Sequence, residues 1–290
     1  MIGSLIQRNI RIFFRDKMNV FFALLASLIM FVLYVFFLGQ LQVDGMKETF
    51  PNASEETIHY FVNSWVFAGI LTITSVTTGL AALQVFVSDR ASGRFKDFAV
   101  SPVAKWKLVV AYLTSTVIIA LGLTTVMLLL SEIYIVINGG EWLNWEELVV
   151  VYGYLILSTV TFAAISSFIA AFIKTESAFS SLSVIIGTSI GFLAGIYVPV
   201  GTLPTSVANA INVLPYSQAA SMIREPFTQS SLADITSGND QAIADMKDAY
   251  GMNVLIGDTT LTTTTIVITL ASLTVVFGVL AVVRISKKLQ

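Results

Sequence analysis

Long apolar runs alternate with short polar ones along this chain. Six runs come close to or exceed the ~20 residues that a helix needs to cross a bilayer: residues 18–38, 60–87, 108–137, 148–173, 178–198 and 261–283. The pattern predicts an all-α integral membrane protein in which residues 1–290 form one transmembrane domain. The run at 60–87 is the most polar, carrying Asn63, Ser64, Thr72, Thr74, Ser75, Thr77, Thr78 and Gln84. The run at 108–137 holds Glu132 near its far end. The first run, 21 residues long, exceeds the ~7–15 apolar residues of a secretory leader and has no small-residue cleavage site after it, so it is expected to remain as a span.

Composition agrees with the pattern. The chain is 56% hydrophobic and 12% charged, with a mean hydropathy of +0.83, and soluble domains carry roughly twice that charge. Charge placement adds an orientation. Thirteen of the sixteen Lys and Arg fall in the N-terminal segment, residues 88–107, residues 174–177 and the C-terminal segment; only Lys47, Arg224 and Lys247 fall on the other side. Basic residues stay in the cytoplasm, so both termini are expected there, in a multi-pass protein of the plasma membrane. A net charge of −2 gives no basis for a nucleic-acid partner.

The polar intervals have their own patterns. In residues 1–17, apolar positions that include Phe13 and Phe14 recur at helical spacing with Arg8, Arg11 and Arg15 between them. That predicts a helix lying in the cytoplasmic membrane interface, in contact with lipid. Gly187, Gly191 and Gly195 stand four apart in the fifth run. They suit close packing against a second subunit, or against another helix of the same chain. The polar face of the second run (Thr74, Thr77, Thr78, Gln84) fits either a substrate path or hydrogen bonding between helices. Residues 39–59 and 138–147 read as simple loops. Between the fifth and sixth runs, Pro204, Pro215 and Pro226 separate two moderately apolar stretches, 207–214 and 219–223. These predict short re-entrant helices at the outer surface. Residues 228–258 then read as a solvated acidic loop with one short helix around 240–250.

Recognisable catalytic chemistry is absent from the sequence. It has no GxxxxGK[ST] phosphate loop, no HExxH and no GxSxG; cysteine is absent and His59 is the lone histidine. Glu132 is expected to reach the outer interface rather than to act as a proton relay. A transporter-like body without a visible energy source directs attention to the basic loop SDRASGRFKDFAVSPVAKWK at 88–107. Ser88 or Asp89 can cap a helix there, which Ser101-Pro102 would end. Phe95, Phe98 and Ala99 share one face, and Arg90 and Arg94 another. The Phe face suits a groove on a second protein or the bilayer surface.

Three stretches together resemble the permease subunit of type two ATP-binding-cassette exporters, the drug, lipid and polysaccharide exporter group. RNIRIFFRDKMNVFF is similar to that family's interfacial helix entering the first span. SDRASGRFKDFAVSPVAKWKLVVAYL is similar to its coupling loop. IYVPVGTLPTSVANAINVLPYSQAASMIREPF is similar to its outer re-entrant region, with Pro199, Pro204 and Pro215 at the outer gate. The resemblance implies a homodimer or heterodimer of six-span subunits with a substrate path at the dimer axis. It further implies a separate ATPase subunit that holds ATP and Mg and docks on Arg90, Arg94, Phe95, Asp97 and Phe98, helped by the N-terminal helix. No cofactor is expected in this chain. Apolar spans favour an amphiphilic substrate such as a drug, peptide or lipid. Two features depart from many relatives: the Ser88-Asp89-Arg90 start of the loop, which is less acidic, and the length of 228–258. The second feature suits an alternative role, a membrane sensor or assembly subunit that binds a ligand or protein through that outer loop.

Overall fold

The computed structural model describes residues 2–95 and 104–288. Helix α1 (Ile2–Arg15) is amphipathic, burying Asn9 and Phe13 while Phe14 stays half exposed. Asp16 ends it and starts α2 (Lys17–Leu33), its carboxylate accepting from the Asn19 backbone N–H at 3.1 Å. The chain continues through one wide π turn (Tyr34–Leu38) into α3 (Gly39–Thr49). Expected as loop, residues 39–49 are therefore helical. Val43 and Met46 bury one side of α3, and Gln40 donates to Asp44 one turn on; the polar outer side hid the helix from a hydropathy reading.

Helix α4 (Glu55–Ala91) is the axis of the fold. Its 37 residues span about 55 Å, with Ser54 as N-cap and Glu55 and Glu56 placed favourably in the first turn. The polar second run is the most buried span because protein rather than lipid surrounds it: α2, α5 (Lys105–Ile137), α6 (Trp145–Ala170), α7 (Glu176–Leu193) and α9 (Pro215–Ile235) all pack on it. Thr72, Thr74 and Thr78 donate to carbonyls four residues back and Ser75 to one three back. Their hydroxyls are thus satisfied inside a dry core.

Among the described residues, six helices are long and apolar enough to cross a membrane: Lys17–Thr49, Glu55–Ala91, Lys105–Ile137, Trp145–Ala170, Glu176–Leu193 and Thr263–Lys287. The end of the helical bundle that carries α1 is called the termini-bearing end, and the opposite end the far end. The sixth crossing, α11 (Thr263–Lys288), packs on α6, where Thr161 meets Thr274 at 2.8 Å.

At the far end, a capping box formed by Asn144 and Glu147 opens α6. Helix α7 stops at Leu193, where Gly195 (φ +64°) takes the left-handed conformation and Ile196 N–H bonds Gly191 O. This is a helix-terminating turn of the Schellman type. Gly195 therefore does not continue the small-residue face of Gly187 and Gly191, as expected from the fourfold spacing; the positive φ ends the helix first. Pro199 begins a 3₁₀ turn (Val200–Thr202), Pro204 precedes α8 (Thr205–Asn212), and Pro215 is the first residue of α9. Contrary to its expected role as punctuation, Pro226 lies inside α9, which runs on to Ile235. Helix α10 (Asp240–Ala249) agrees with expectation. A small antiparallel hairpin, β1 (Val254–Ile256) with β2 (Thr259–Leu261), turns on Gly257 and precedes α11.

Gly187 and Gly195 respond differently to a methyl group. At Gly195 a Cβ would run into Val200 in a conformation that L residues rarely adopt, whereas Gly187 has nothing within 4 Å. Thermal unfolding of purified protein is expected to show Gly195→Ala destabilised by about 2 kcal/mol and Gly187→Ala unchanged.

Candidate coupling site

At the termini-bearing end, the last turn of α4 presents Asp89, whose side chain is 1% exposed. A buried carboxylate is costly unless its oxygens are paired. Here four donors converge on it. Arg8 of α1 donates from Nη1 at 2.7 Å and from Nη2 at 3.0 Å, a two-point contact. Tyr112 of α5 donates its hydroxyl at 2.6 Å, and Arg94 donates at 3.0 Å. The hydrogen bond to Asp89 holds the Arg8 guanidinium above its ordinary range. Alongside, Asn9 donates to Ser115 Oγ at 3.2 Å, a second tie between α1 and α5. One residue on, Arg90 donates to the backbone oxygens of Ala171 and Ile173 at 3.1 and 2.9 Å. It thereby binds the end of α4 to the end of α6, where orphan carbonyls and the negative end of the helix dipole favour a cation.

Predicted docking residues are redistributed by this arrangement. Asp89 does not cap a new helix; α4 runs through it to Ala91, and Gly93 (φ +79°) makes the turn. Arg90 and Arg94 do not share an outward face, because each is drawn inward by a different acceptor. Arg94 keeps its side chain 56% exposed. Phe95 is not part of an open aromatic face. It is 9% exposed, edge-on to Phe86 at 5.4 Å and stacked on Tyr112 at 5.9 Å, and so anchors the start of the loop to the core. Asp97 and Phe98 lie outside the described residues. Of the interfacial set, Phe13 is buried, Phe14, Arg11 and Arg15 are exposed, and Arg8 serves Asp89.

Two predicted features from different spans meet in one cavity. Thr77 of α4 and Gly187 of α7 both line an apolar groove of about 480 Å³, with Phe22, Ile29 and Met30 of α2 opposite. Thr74 and Thr78 stand outside it: Thr74 donates to Ile70 O and to Ser27 of α2, and Thr78 donates to Thr74 O. Gln84 lines a different cavity, of about 570 Å³, at the elbow between α1 and α2 beside Arg15 and Asn19. Glu132 accepts from Leu143 N at 2.9 Å and closes the turn between α5 and α6.

Arg224 carries no sequence expectation beyond its place among the three far-end cations. It is fully buried, donates to the oxygens of Ala194 and Gly195 at 3.0 and 2.8 Å, and stacks 4.8 Å from Trp65. It closes the end of α7, whose last carbonyls seek donors, against α4. Trp65 in turn donates to Tyr250 O at 2.7 Å. Nothing local in the sequence marks it, because Arg224 stands among polar neighbours (Ser221, Glu225, Thr228) that read as an ordinary surface segment.

Residues 2–227 match the family described as ABC-2 type transporter; the match contains α1, the Asp89 cluster, the apolar groove and Arg224. No curated protein matches the chain.

Removing Asp89 leaves Arg8 and Tyr112 facing a dry gap, whereas removing Arg94 frees a half-exposed side chain. Asp89→Ala is expected to cost about 3 kcal/mol and Arg94→Ala under about 1 kcal/mol, compared as thermal midpoints of purified protein.

Proposed function

The chain belongs to the ABC-2 type transporter family, a family of multi-pass membrane subunits that work with an ATP-binding-cassette partner, and from that premise we propose that it is the permease of an exporter for amphiphilic molecules. The family's membrane domain is a permease and not a catalytic domain, and ATP and Mg²⁺ belong to the separate ATPase in this reading. The termini-bearing end faces the cytoplasm, where thirteen of sixteen basic residues fall. The ATPase docks on the loop after α4, with Arg94 at its near edge and Phe98 as its aromatic anchor.

The Asp89 cluster is the observation that supports this reading best. A push on the docking loop reaches Asp89 through Arg94 and passes at once to α1 through Arg8 and to α5 through Tyr112. Through Arg90 it reaches the end of α6. Nucleotide-driven movement of a partner would thereby tilt several spans together. Transport requires the substrate to bind the two resulting states unequally. The groove between α2, α4 and α7 is the proposed substrate path. Its walls are largely apolar, Thr77 and Thr188 supply polar points, and the exposed Val184 of α7 lines it. A second permease subunit covering this face would complete the path at the dimer axis.

Docking and transport separate experimentally. With the chain co-expressed with its ATPase, Phe98→Asp is expected to abolish ATPase co-purification; retention of the ATPase would refute the docking site. Gly187→Leu, which fills the groove, is expected to leave co-purification intact and to reduce transport of a fluorescent amphiphile from loaded vesicles at least about ten-fold, about 1.4 kcal/mol of barrier.

A further inference from the structure

A second cavity, of about 610 Å³, opens at the far end between α6, α9 and α10. It shares no residue with the groove proposed as the substrate path. Its volume falls within the range of small-molecule sites. Along α6 its wall runs from Asn144 to Tyr154, about 15 Å of helix. Trp142 and Trp145, at the same helix end, are more than half exposed. Exposed tryptophans of this kind sit at headgroup level in a membrane, so the wall descends from that level toward hydrocarbon depth.

Its lining is amphipathic. Val150, Leu232 and Ile243 supply apolar surface. Glu146, Glu147 and Glu225 supply three carboxylates against one ammonium, that of Lys247. Two of these groups already have partners: Glu147 accepts from Asn144 N at 3.0 Å in the capping box, and Glu225 accepts from Lys247 at 3.0 Å. Glu146 has no hydrogen-bond or ion-pair partner among the described residues. The pocket therefore keeps an excess of negative charge beside a hydrocarbon wall, in a setting where partial exclusion of water strengthens attraction. An anionic head would face three carboxylates. Among the described residues no group of His, Cys, Asp and Glu converges to hold a metal ion.

We propose that this pocket binds an amphiphile with an ammonium head: the cation lies among Glu146, Glu147 and Glu225, and its hydrocarbon lies along Val150 and Leu232. The charge balance selects the head, and the apolar wall selects the tail. Lys247 competes for Glu225 and sets the affinity. The shared chemistry, an ammonium on a hydrocarbon chain, occurs both in membrane lipids and in free cationic surfactants. The inference concerns binding alone and stands whichever way the permease transports.

The full chain in dodecyl maltoside micelles, titrated with dodecyltrimethylammonium and read by microscale thermophoresis, tests the proposal. Saturable binding is expected, weakened about ten-fold in Glu225→Gln and about three-fold in Glu146→Gln, and weakened by added salt. Lys247→Gln is expected to tighten it about three-fold, a gain that a misfolded variant would not produce. Equal affinity in wild type, Glu225→Gln and Lys247→Gln overturns the proposal, as does equal competition by uncharged dodecanol. Micelles doped with phosphatidylethanolamine or with a neutral galactolipid separate the sources. Weaker probe binding with phosphatidylethanolamine alone supports a lipid occupant; equal binding in both, with the Glu225 dependence kept, supports a free amphiphile.

Discussion

A carboxylate buried at the end of a long helix has to be surrounded by donors or the helix end cannot stay where it is. Asp89 meets that requirement with Arg8, Arg94 and Tyr112, and these donors come from three separate parts of the chain. The termini-bearing end owes its arrangement to this demand. Helix α1 is drawn onto α5 rather than left free on a bilayer surface. The loop after α4 leaves in a direction set by Arg94, and the aromatic trio of Phe86, Phe95 and Tyr112 closes beside it. A buried carboxylate left without donors is costly, and this cost favours the arrangement in which Arg8, Arg94 and Tyr112 all reach it.

The far end solves a related problem with the opposite sign. Arg224 is a buried cation whose acceptors are carbonyls at the C-terminal end of α7, and its flat guanidinium lies against Trp65. Helix α4 is therefore tied to its neighbours near both ends through ionic groups, while hydroxyls along its middle bond its own backbone. Between these two anchors lies the apolar groove, whose walls come from α2, α4 and α7. The ends are tied by directional bonds, and between them α2 meets α4 through apolar packing and the Thr74–Ser27 hydrogen bond at 2.8 Å.

The spans were legible because a run of about twenty apolar residues has few other uses. Much of the rest depended on partners distant in sequence. Arg8 and Asp89 stand 81 positions apart, and nothing local in either stretch marks the pairing. Phe95 lies at the spacing of an exposed aromatic face, but periodicity states which residues share a side and not what covers that side; Tyr112 covers it. Gly195 fits a fourfold glycine repeat and was read as a packing surface, whereas its positive φ made it a terminator. Pro226 suggested a break because proline removes one backbone donor; burial of α9 on α4 and α6 carries the helix past it. The continuation of α2 into α3 was hidden because Gln40, Asp44 and Lys47 look like loop residues until Val43 and Met46 are seen to be buried. Thr77 and Gly187 were named for separate reasons, and only the fold brings them to one cavity.

The self-satisfied hydroxyls of α4 bear on how the protein is made. Synthesis proceeds from the N-terminus, so α4 enters the bilayer after α2 and α3 but before α5, α6, α7 and α9 exist to surround it. A helix this polar would meet lipid with its hydroxyls unpaired if they depended on later neighbours. Thr72, Thr74, Ser75 and Thr78 bond carbonyls of the same helix, so those groups arrive already neutralised, and Ser27 on α2 is in place to receive Thr74. The residues that make α4 a suitable centre for the finished bundle also let it wait in the membrane for the rest of the chain to arrive.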